Sequence, residues 1–146
     1  VLNGPNLNLL GVREPHLYGN TNLAQVEALC RQTASELELA CEFRQTNHEG
    51  VLVDWVQEAR ERACALVINP AGLSFRSIPL LDALKTLDQP IAEVHVTNIH
   101  RRDALYQHSL VSLAATGVIA GFGPHGYELA IRAVARRVAE SLPPRG

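Results

Sequence analysis

The 146-residue chain contains no methionine, a single lysine at Lys85 and three cysteines. Cys30, Cys41 and Cys64 show no CxxC spacing, so the sequence predicts neither a disulfide framework nor a structural zinc site. With Lys85 on the polar side of a predicted helix, chemistry through a lysine imine is not expected. No stretch approaches the roughly 20 apolar residues of a transmembrane helix, and no basic-then-apolar signal peptide opens the chain. We therefore expect a soluble, cytoplasmic protein with no membrane partner.

The balance of charged and apolar residues narrows the class further. Hydrophobic residues make up 47% of the chain and charged residues 19%, which is typical of a globular domain. The 13 Lys and Arg residues and 15 Asp and Glu residues leave a net charge of −2, so no general attraction to nucleic acid is expected. This length suits one hydrophobic core, and we predict a single domain over residues 1–146.

Short apolar runs alternate with longer amphipathic stretches along the chain. The apolar runs predict strands over residues 1–2, 40–46, 65–68, 91–96 and 118–120. The amphipathic stretches predict a helix from a cap at Thr21 to Leu37, others over 51–59 and 77–87, and a C-terminal helix through Leu142; residues 7–20 are predicted to form a loop. Repeated strand–helix alternation is typical of a parallel sheet with helices on both faces, an α/β fold.

Polar residues follow the predicted strands at the points where the strands end. Asn3 and Asn6 follow the first strand, residues 47–49 the second, Asn69 the third, and His95 and Thr97 come at the end of the fourth. Ligands bind beyond the carboxyl ends of the strands in such sheets, so these residues predict a site there. The chain has no HExxH pair, and a metal site is not predicted.

The segment from Gly11 to Gly19 is a long loop that contains Arg13 and Tyr18. Long loops in compact domains are often binding loops. A guanidinium a few ångströms from a phenol favours the phenolate, which is a base, so the pair is a candidate base assembly. The alternative interpretation is structural: Tyr18 packs on the protein and Arg13 pairs with Glu14.

Six segments together resemble the type II 3-dehydroquinate dehydratase family, from the first residue to about residue 135. They are NGPNLNLLG from Asn3, REPxxYG from Arg13, NHEG from Asn47, INPAG from Ile68, EVHVTNIH from Glu93 and GVIAGFGPxGY from Gly117. The resemblance implies a flavodoxin-like three-layer fold with a five-stranded parallel sheet. It also implies reversible dehydration of 3-dehydroquinate to 3-dehydroshikimate, without a metal or an organic cofactor, in a homo-oligomer of trimers assembled into a dodecamer.

The resemblance implies a catalytic role for five residues. Tyr18 matches the general base, and Arg13 matches the residue that stabilises the phenolate and the transition state. Asn6 matches the position that holds the enolate oxygen through an ordered water. His95 matches the general acid that protonates the departing C1 hydroxyl, and Glu93 matches the carboxylate that orients this histidine.

The resemblance assigns five more residues to the small-molecule substrate. Asn69, Val96 and Thr97 match positions that bind its carboxylate and hydroxyls. Asp82 matches a contact that enters from a neighbouring subunit. Arg102 lies where the family has an arginine near the substrate.

The sequence departs from the family pattern at two positions. Phe75 stands where the family has a substrate-binding histidine, and Tyr106 stands where it has a second arginine. Both changes bear on how the substrate is held, and neither touches Tyr18, Arg13 or His95. Two alternatives stay open at this point: a paralogue that acts on a related cyclic polyol acid or in quinate breakdown, and a non-catalytic sugar-acid or partner-binding module of the same fold.

Overall fold

The computed structural model describes residues 1–141 and contains a five-stranded sheet in which all strands are parallel. The strands are β1 (Leu2–Asn3), β2 (Arg44–Gln45), β3 (Leu66–Asn69), β4 (Ile91–His95) and β5 (Gly117–Ala120). Their order across the sheet, β2-β1-β3-β4-β5, is the flavodoxin-like order. The predicted fold class is confirmed.

Within residues 1–141, five α-helices accompany the sheet: α1 (Pro15–Tyr18), α2 (Leu23–Glu36), α3 (Glu49–Glu61), α4 (Ile78–Leu84) and α5 (His125–Ser141). Side chains of β3 alternate between two cores, because successive residues of a strand point to opposite faces. Val67 packs with α2 and α5, whereas Leu66 and Ile68 pack with α3 and α4. The result is the three-layer arrangement. No helix of the described residues is long and apolar enough to cross a bilayer.

One predicted helix end differs from the structure, and another lies outside the described residues. The cap of α2 is Asn22, and the prediction of Thr21 is wrong. The Asn22 side chain accepts a hydrogen bond from the Gln25 backbone N–H, and the Gln25 side chain accepts one from the Asn22 backbone N–H, both at 2.9 Å. This reciprocal capping box satisfies two backbone donors, which a cap at Thr21 would leave free. Leu142, the predicted end of the C-terminal helix, lies outside the described residues.

The second strand is much shorter than predicted, covering Arg44–Gln45 within residues 40–46. As the edge strand, β2 pairs only with β1, and β1 has two residues. The ladder is flanked by hydrogen bonds of 3.0 Å from Arg44 N–H to the Val1 carbonyl and from Thr46 N–H to the Asn3 carbonyl. Alternation of apolar residues over 40–46 therefore reflects burial beside the sheet rather than pairing within it.

The predicted loop over residues 7–20 also contains regular structure. A 3-10 turn covers Leu7–Leu9, and the short helix α1 begins at Pro15. Proline suits the first position of a helix, because its φ angle is already helical and no N–H is left unpaired there. Helix α1 ends at Tyr18 and so positions the predicted base in a defined element.

The loops that follow β1 and β3 touch each other at Gly4. Its N–H donates to the Asn69 carbonyl at 2.8 Å, and a Cβ built on Gly4 would lie 2.3 Å from the Pro70 carbonyl oxygen. Only glycine fits so close an approach of two backbones. The contact fixes the distance between the two polar strand ends.

A buried hydroxyl ties both strand ends to the C-terminal helix. The Tyr127 hydroxyl donates to Asn3 Oδ1 at 2.7 Å and accepts from Asn69 Nδ2 at 2.8 Å. Burial raises the pKa of Tyr127, so the hydroxyl keeps the proton that it donates. Tyr127 is wholly buried, and each partner depends on it for one hydrogen bond.

Replacing Tyr127 with phenylalanine should destabilise the protein by at least about 2 kcal/mol. The change leaves Asn3 Oδ1 and Asn69 Nδ2 buried without that partner, and each such group costs about 1–3 kcal/mol. Urea unfolding measures the loss as a lower midpoint at an unchanged slope. A midpoint equal to that of the wild type would show that the two amides find other partners.

Candidate functional site

The carboxyl ends of β1, β3 and β4 surround an open cleft of about 190 Å³. Eight of the ten predicted site residues line it: Asn6, Arg13, Tyr18, Asn69, His95, Val96, Thr97 and Arg102. Glu93 lies directly behind His95. Asp82 does not reach the cleft of its own chain and is exposed on α4.

A larger groove of about 330 Å³ lies at the amino ends of β1 and β3, but none of the predicted site residues lines it. Its charged side chains are already paired, with Arg44 and Arg62 each 2.7 Å from a glutamate oxygen. Hydrogen bonds from Arg44 lower the pKa of Glu58 to about 2, outweighing its partial burial. The smaller cleft, which contains groups free to react, is therefore the candidate site.

One wall of the cleft brings two guanidinium groups to Tyr18. The central carbon of Arg13 lies 5.9 Å from the Tyr18 ring centroid, and that of Arg102 lies 6.0 Å from it. Arg13 also lies 3.5 Å from a Glu14 oxygen, and the Tyr18 ring packs on the core. The Arg13–Tyr18 contact expected of a base assembly and the Arg13–Glu14 contact expected of a structural role are thus present together. Both guanidinium groups therefore lie close to the ring of one tyrosine that lines the cleft.

The cleft also holds His95 against a buried carboxylate. His95 Nε2 lies 2.6 Å from Glu93 Oε1, which leaves Nδ1 as the ring nitrogen available to the cleft. Glu93 is fully buried and His95 is 5% exposed. A carboxylate at this distance orients the imidazole within the cleft.

Three hydrogen bonds keep Glu93 ionised. Burial acts to raise the pKa of Glu93, but hydrogen bonds from His95, Ser109 and Ser112 together outweigh burial and lower it below the usual glutamate value. Ser109 donates to the oxygen that His95 contacts, and Ser112 donates to the other oxygen. The negative charge opposite His95 is therefore stable at neutral pH.

Sequence reasoning missed both serines. Ser109 and Ser112 lie 16 and 19 residues after Glu93, in a segment of short 3-10 turns with no motif of its own. The one available signal was the glutamate in the apolar strand β4, because a buried carboxylate requires donors. That signal predicts that donors exist and cannot identify them.

The side-chain amides of Asn69 and Asn6 differ in whether their hydrogen-bonding groups are already engaged within the protein. Asn69 donates to Tyr127, and its oxygen accepts from the Ala71 N–H at 3.2 Å, so both ends of its amide are engaged within the protein. Asn6 is exposed in a left-handed conformation, with φ of 68°, and its backbone N–H donates to Asn47 Oδ1 at 2.9 Å. The Asn6 side chain therefore faces the cleft with its amide available.

The two departures from the family pattern both lie in the cleft. The Phe75 ring stacks beside the His95 ring, with centroids 6.2 Å apart and planes 26° apart. Tyr106 meets Phe75 edge to face, at 5.4 Å and 82°. The Arg102 guanidinium lies 4.1 Å from the centroid of Tyr106. The positions where the family has hydrogen-bonding side chains therefore form an aromatic surface here.

The family model for dehydroquinase class II matches residues 1–135, a range that includes every residue of the cleft. The chain belongs to this family. A 3-dehydroquinate dehydratase of a Caulobacter species is 58% identical over 135 residues, covering 92% of each chain. That of Methylobacterium radiotolerans is 55% identical, covering 92% of this chain and 91% of the relative.

Solved structures of dehydroquinases have the same fold. The type II dehydroquinase of Propionibacterium acnes is 44% identical, with a TM-score of 0.90, over 92% of this chain and 93% of that one. A 3-dehydroquinate dehydratase-like protein of Bifidobacterium longum is 31% identical, with a TM-score of 0.71, over 94% of each chain. The resemblance stated from the sequence motifs is confirmed.

Proposed function

We propose that this protein is a type II 3-dehydroquinate dehydratase, which converts 3-dehydroquinate reversibly to 3-dehydroshikimate. The observation that carries the proposal is the placement of two complementary groups in one cleft. Tyr18 lies beside two guanidinium groups, and His95 is bound to an ionised carboxylate. The identity of 55–58% with 3-dehydroquinate dehydratases supports the same substrate and argues against a non-catalytic module.

In the first proposed step, the Tyr18 phenolate removes the proton α to the C3 ketone and leaves an enolate. Arg13 and Arg102 offset the negative charge, first on the phenol oxygen and then on the substrate. Asn6, which has its amide available, holds the enolate oxygen through an ordered water. The positive groups are already in place before charge develops, so little reorganisation is required.

In the second proposed step, protonated His95 donates its proton to the C1 hydroxyl. The C1–O bond breaks, water leaves, and the enolate electrons form a double bond conjugated with the ketone. Glu93 stabilises the imidazolium before transfer and keeps Nδ1 directed at the substrate. Both steps are proton transfers, so the proposed reaction needs no electron carrier.

Substrate binding and assembly complete the proposal. Val96, Thr97 and Asn69 hold the substrate carboxylate and hydroxyls at the ends of β3 and β4. Asn69 acts through the loop backbone to which its side chain is hydrogen-bonded.

Asp82, exposed on α4, reaches the cleft of a neighbouring subunit in a trimer, and trimers assemble into a dodecamer. Light scattering on a sizing column should then give the mass of twelve chains.

The absorbance of the conjugated enone product tests the proposed reaction directly. Purified protein mixed with 3-dehydroquinate should give a steady rise in ultraviolet absorbance that scales with protein concentration. Binding of 3-dehydroquinate without any rise would indicate a non-catalytic module. A slow rise, with faster conversion of a related cyclic polyol acid, would indicate a paralogue.

A further inference from the structure

Four side chains form a continuous line of ring contacts across the cleft. His95 is followed by Phe75 at 6.2 Å, then by Tyr106 at 5.4 Å, and then by the Arg102 guanidinium at 4.1 Å. The guanidinium in turn lies 6.0 Å from the Tyr18 ring. The line therefore joins the proposed acid to the proposed base through Arg102 and through two residues, Phe75 and Tyr106, that have no role in the proton transfers.

In the part of the chain that the structure describes, the guanidinium of Arg102 is in contact with aromatic rings and not with carboxylates. Within residues 1–141 its guanidinium forms no salt bridge, in contrast to Arg44 and Arg132, which are each held by two glutamates. A guanidinium that lies over an aromatic face is attracted by the ring electrons, more strongly where water is partly excluded. Arg102 and Tyr106 are both half-buried, so their contact is partly shielded from water.

The ring of Tyr106, rather than its hydroxyl, makes the contacts that the structure shows. Among the described residues the Tyr106 hydroxyl has no hydrogen-bond partner. Its ring carries Arg102 on its face and meets Phe75 at 82°. Edge-to-face pairs at this distance are favourable and fix the relative orientation of the two rings.

We propose that Tyr106 is a positioning residue that holds Arg102 beside Tyr18, and that Phe75 braces Tyr106 from the side of His95. The tests of this proposal that measure turnover of 3-dehydroquinate rest on the proposed function. It gives the two departures from the family pattern a shared role: together they replace two hydrogen-bonding side chains with one aromatic unit.

Two variants at position 106 separate the ring from the hydroxyl. Tyr106→Phe keeps the face over which Arg102 lies, so kcat on 3-dehydroquinate should stay within about twofold of the wild type. Tyr106→Leu removes that face, and kcat should fall about tenfold, with KM changing less than about twofold. The loss is in kcat because the charge that Arg102 offsets lies on the Tyr18 phenolate and then on the enolate, so it belongs to the chemical step and not to substrate binding.

The brace is tested by a double-mutant cycle of Phe75→Leu and Tyr106→Leu. If Phe75 acts through Tyr106, the double variant should lose about as much kcat as Tyr106→Leu alone, because residues that act together are not additive. Multiplied single losses would instead show two independent roles and overturn the brace. Equal losses in Tyr106→Phe and Tyr106→Leu would overturn the positioning role and point to a substrate contact through the hydroxyl.

A measurement without substrate keeps this proposal separate from the proposed reaction. The side-chain Nε–Hε resonance of Arg102 should show the ring-current shift of a group above an aromatic face, in the wild type and in Tyr106→Phe. In Tyr106→Leu the shift should fall to the smaller contribution of the Tyr18 ring, 6.0 Å away. Unchanged spectra in Tyr106→Leu would refute the contact, whereas absence of turnover in the wild type would refute the proposed reaction and leave the contact standing.

Discussion

Tyr18→Phe should lower the turnover of 3-dehydroquinate by at least about 10²-fold, the lower end of what a general base contributes. The phenylalanine ring keeps the volume that packs on the core, and no described residue hydrogen-bonds to the Tyr18 hydroxyl. The change therefore removes the proton acceptor without loosening the structure. Steady-state enone absorbance measures the loss, and urea unfolding should give an unchanged midpoint.

Tyr106→Phe provides the matched control, because it deletes a hydroxyl from another tyrosine of the same cleft. Its expected turnover, within about twofold of the wild type, isolates the effect of the Tyr18 hydroxyl. If Tyr18→Phe retained more than a tenth of the wild-type rate, Tyr18 would not be the base.

Glu93→Gln should lower turnover by about 10²-fold or more and lower the free energy of unfolding by about 1–3 kcal/mol. Glutamine keeps the shape but not the charge, so the His95 imidazolium loses its stabilising partner. In the wild type, His95, Ser109 and Ser112 all donate to the carboxylate. The NH₂ group of the glutamine faces at least one of these donors, and that hydrogen bond is lost. Enone absorbance and urea unfolding measure the two effects.

Glu128→Gln makes the same chemical change in an exposed glutamate–histidine pair, 3.0 Å from His125 Nδ1 and outside the cleft. It should leave turnover unchanged. Normal turnover in Glu93→Gln would show that His95 needs no charged partner, and the proposed acid would then have to be another group.

The lowered pKa of Glu93 also predicts how stability depends on pH. A carboxyl whose pKa is lower in the folded than in the unfolded protein stabilises the fold above its unfolded value, about 4.3, and loses that effect as pH falls through the folded value. Urea midpoints of the wild type should therefore fall in acid. In Glu93→Gln this part of the fall should be absent, and equal acid profiles would contradict the assignment.

Much of the fold could be predicted from local patterns because those patterns reflect burial. The run from Leu66 to Ile68 is apolar because helices cover β3 on both faces. The length of β2 could not be predicted, since it depends on pairing with β1 rather than on its own residues. The choice of Asn22 over Thr21 depends on a reciprocal bond with Gln25.

The site was predictable to the extent that strand ends and motifs locate it. Residues from separate segments met in one cleft because the carboxyl ends of parallel strands share one edge. Contacts between distant segments were not predictable: Ser109 and Ser112 on Glu93, and the position of Arg102 between Tyr18 and Tyr106. Such contacts depend on turns whose path no local pattern indicates.

The Tyr127 hydroxyl has a consequence for how the cleft can fluctuate and change. The hydroxyl is hydrogen-bonded to both Asn3 and Asn69. Neither strand end can therefore open locally without also disturbing the packing of α5, which carries Tyr127. The Gly4 N–H and Ala71 N–H, which donate to Asn69, should exchange with solvent as slowly as the amides of that helix. The floor of the cleft is thus expected to open together with that helix. Variation toward other substrates is left to the exposed and half-buried side chains of the outer walls, within residues 11–17 and 101–107, none of which is buried in the core.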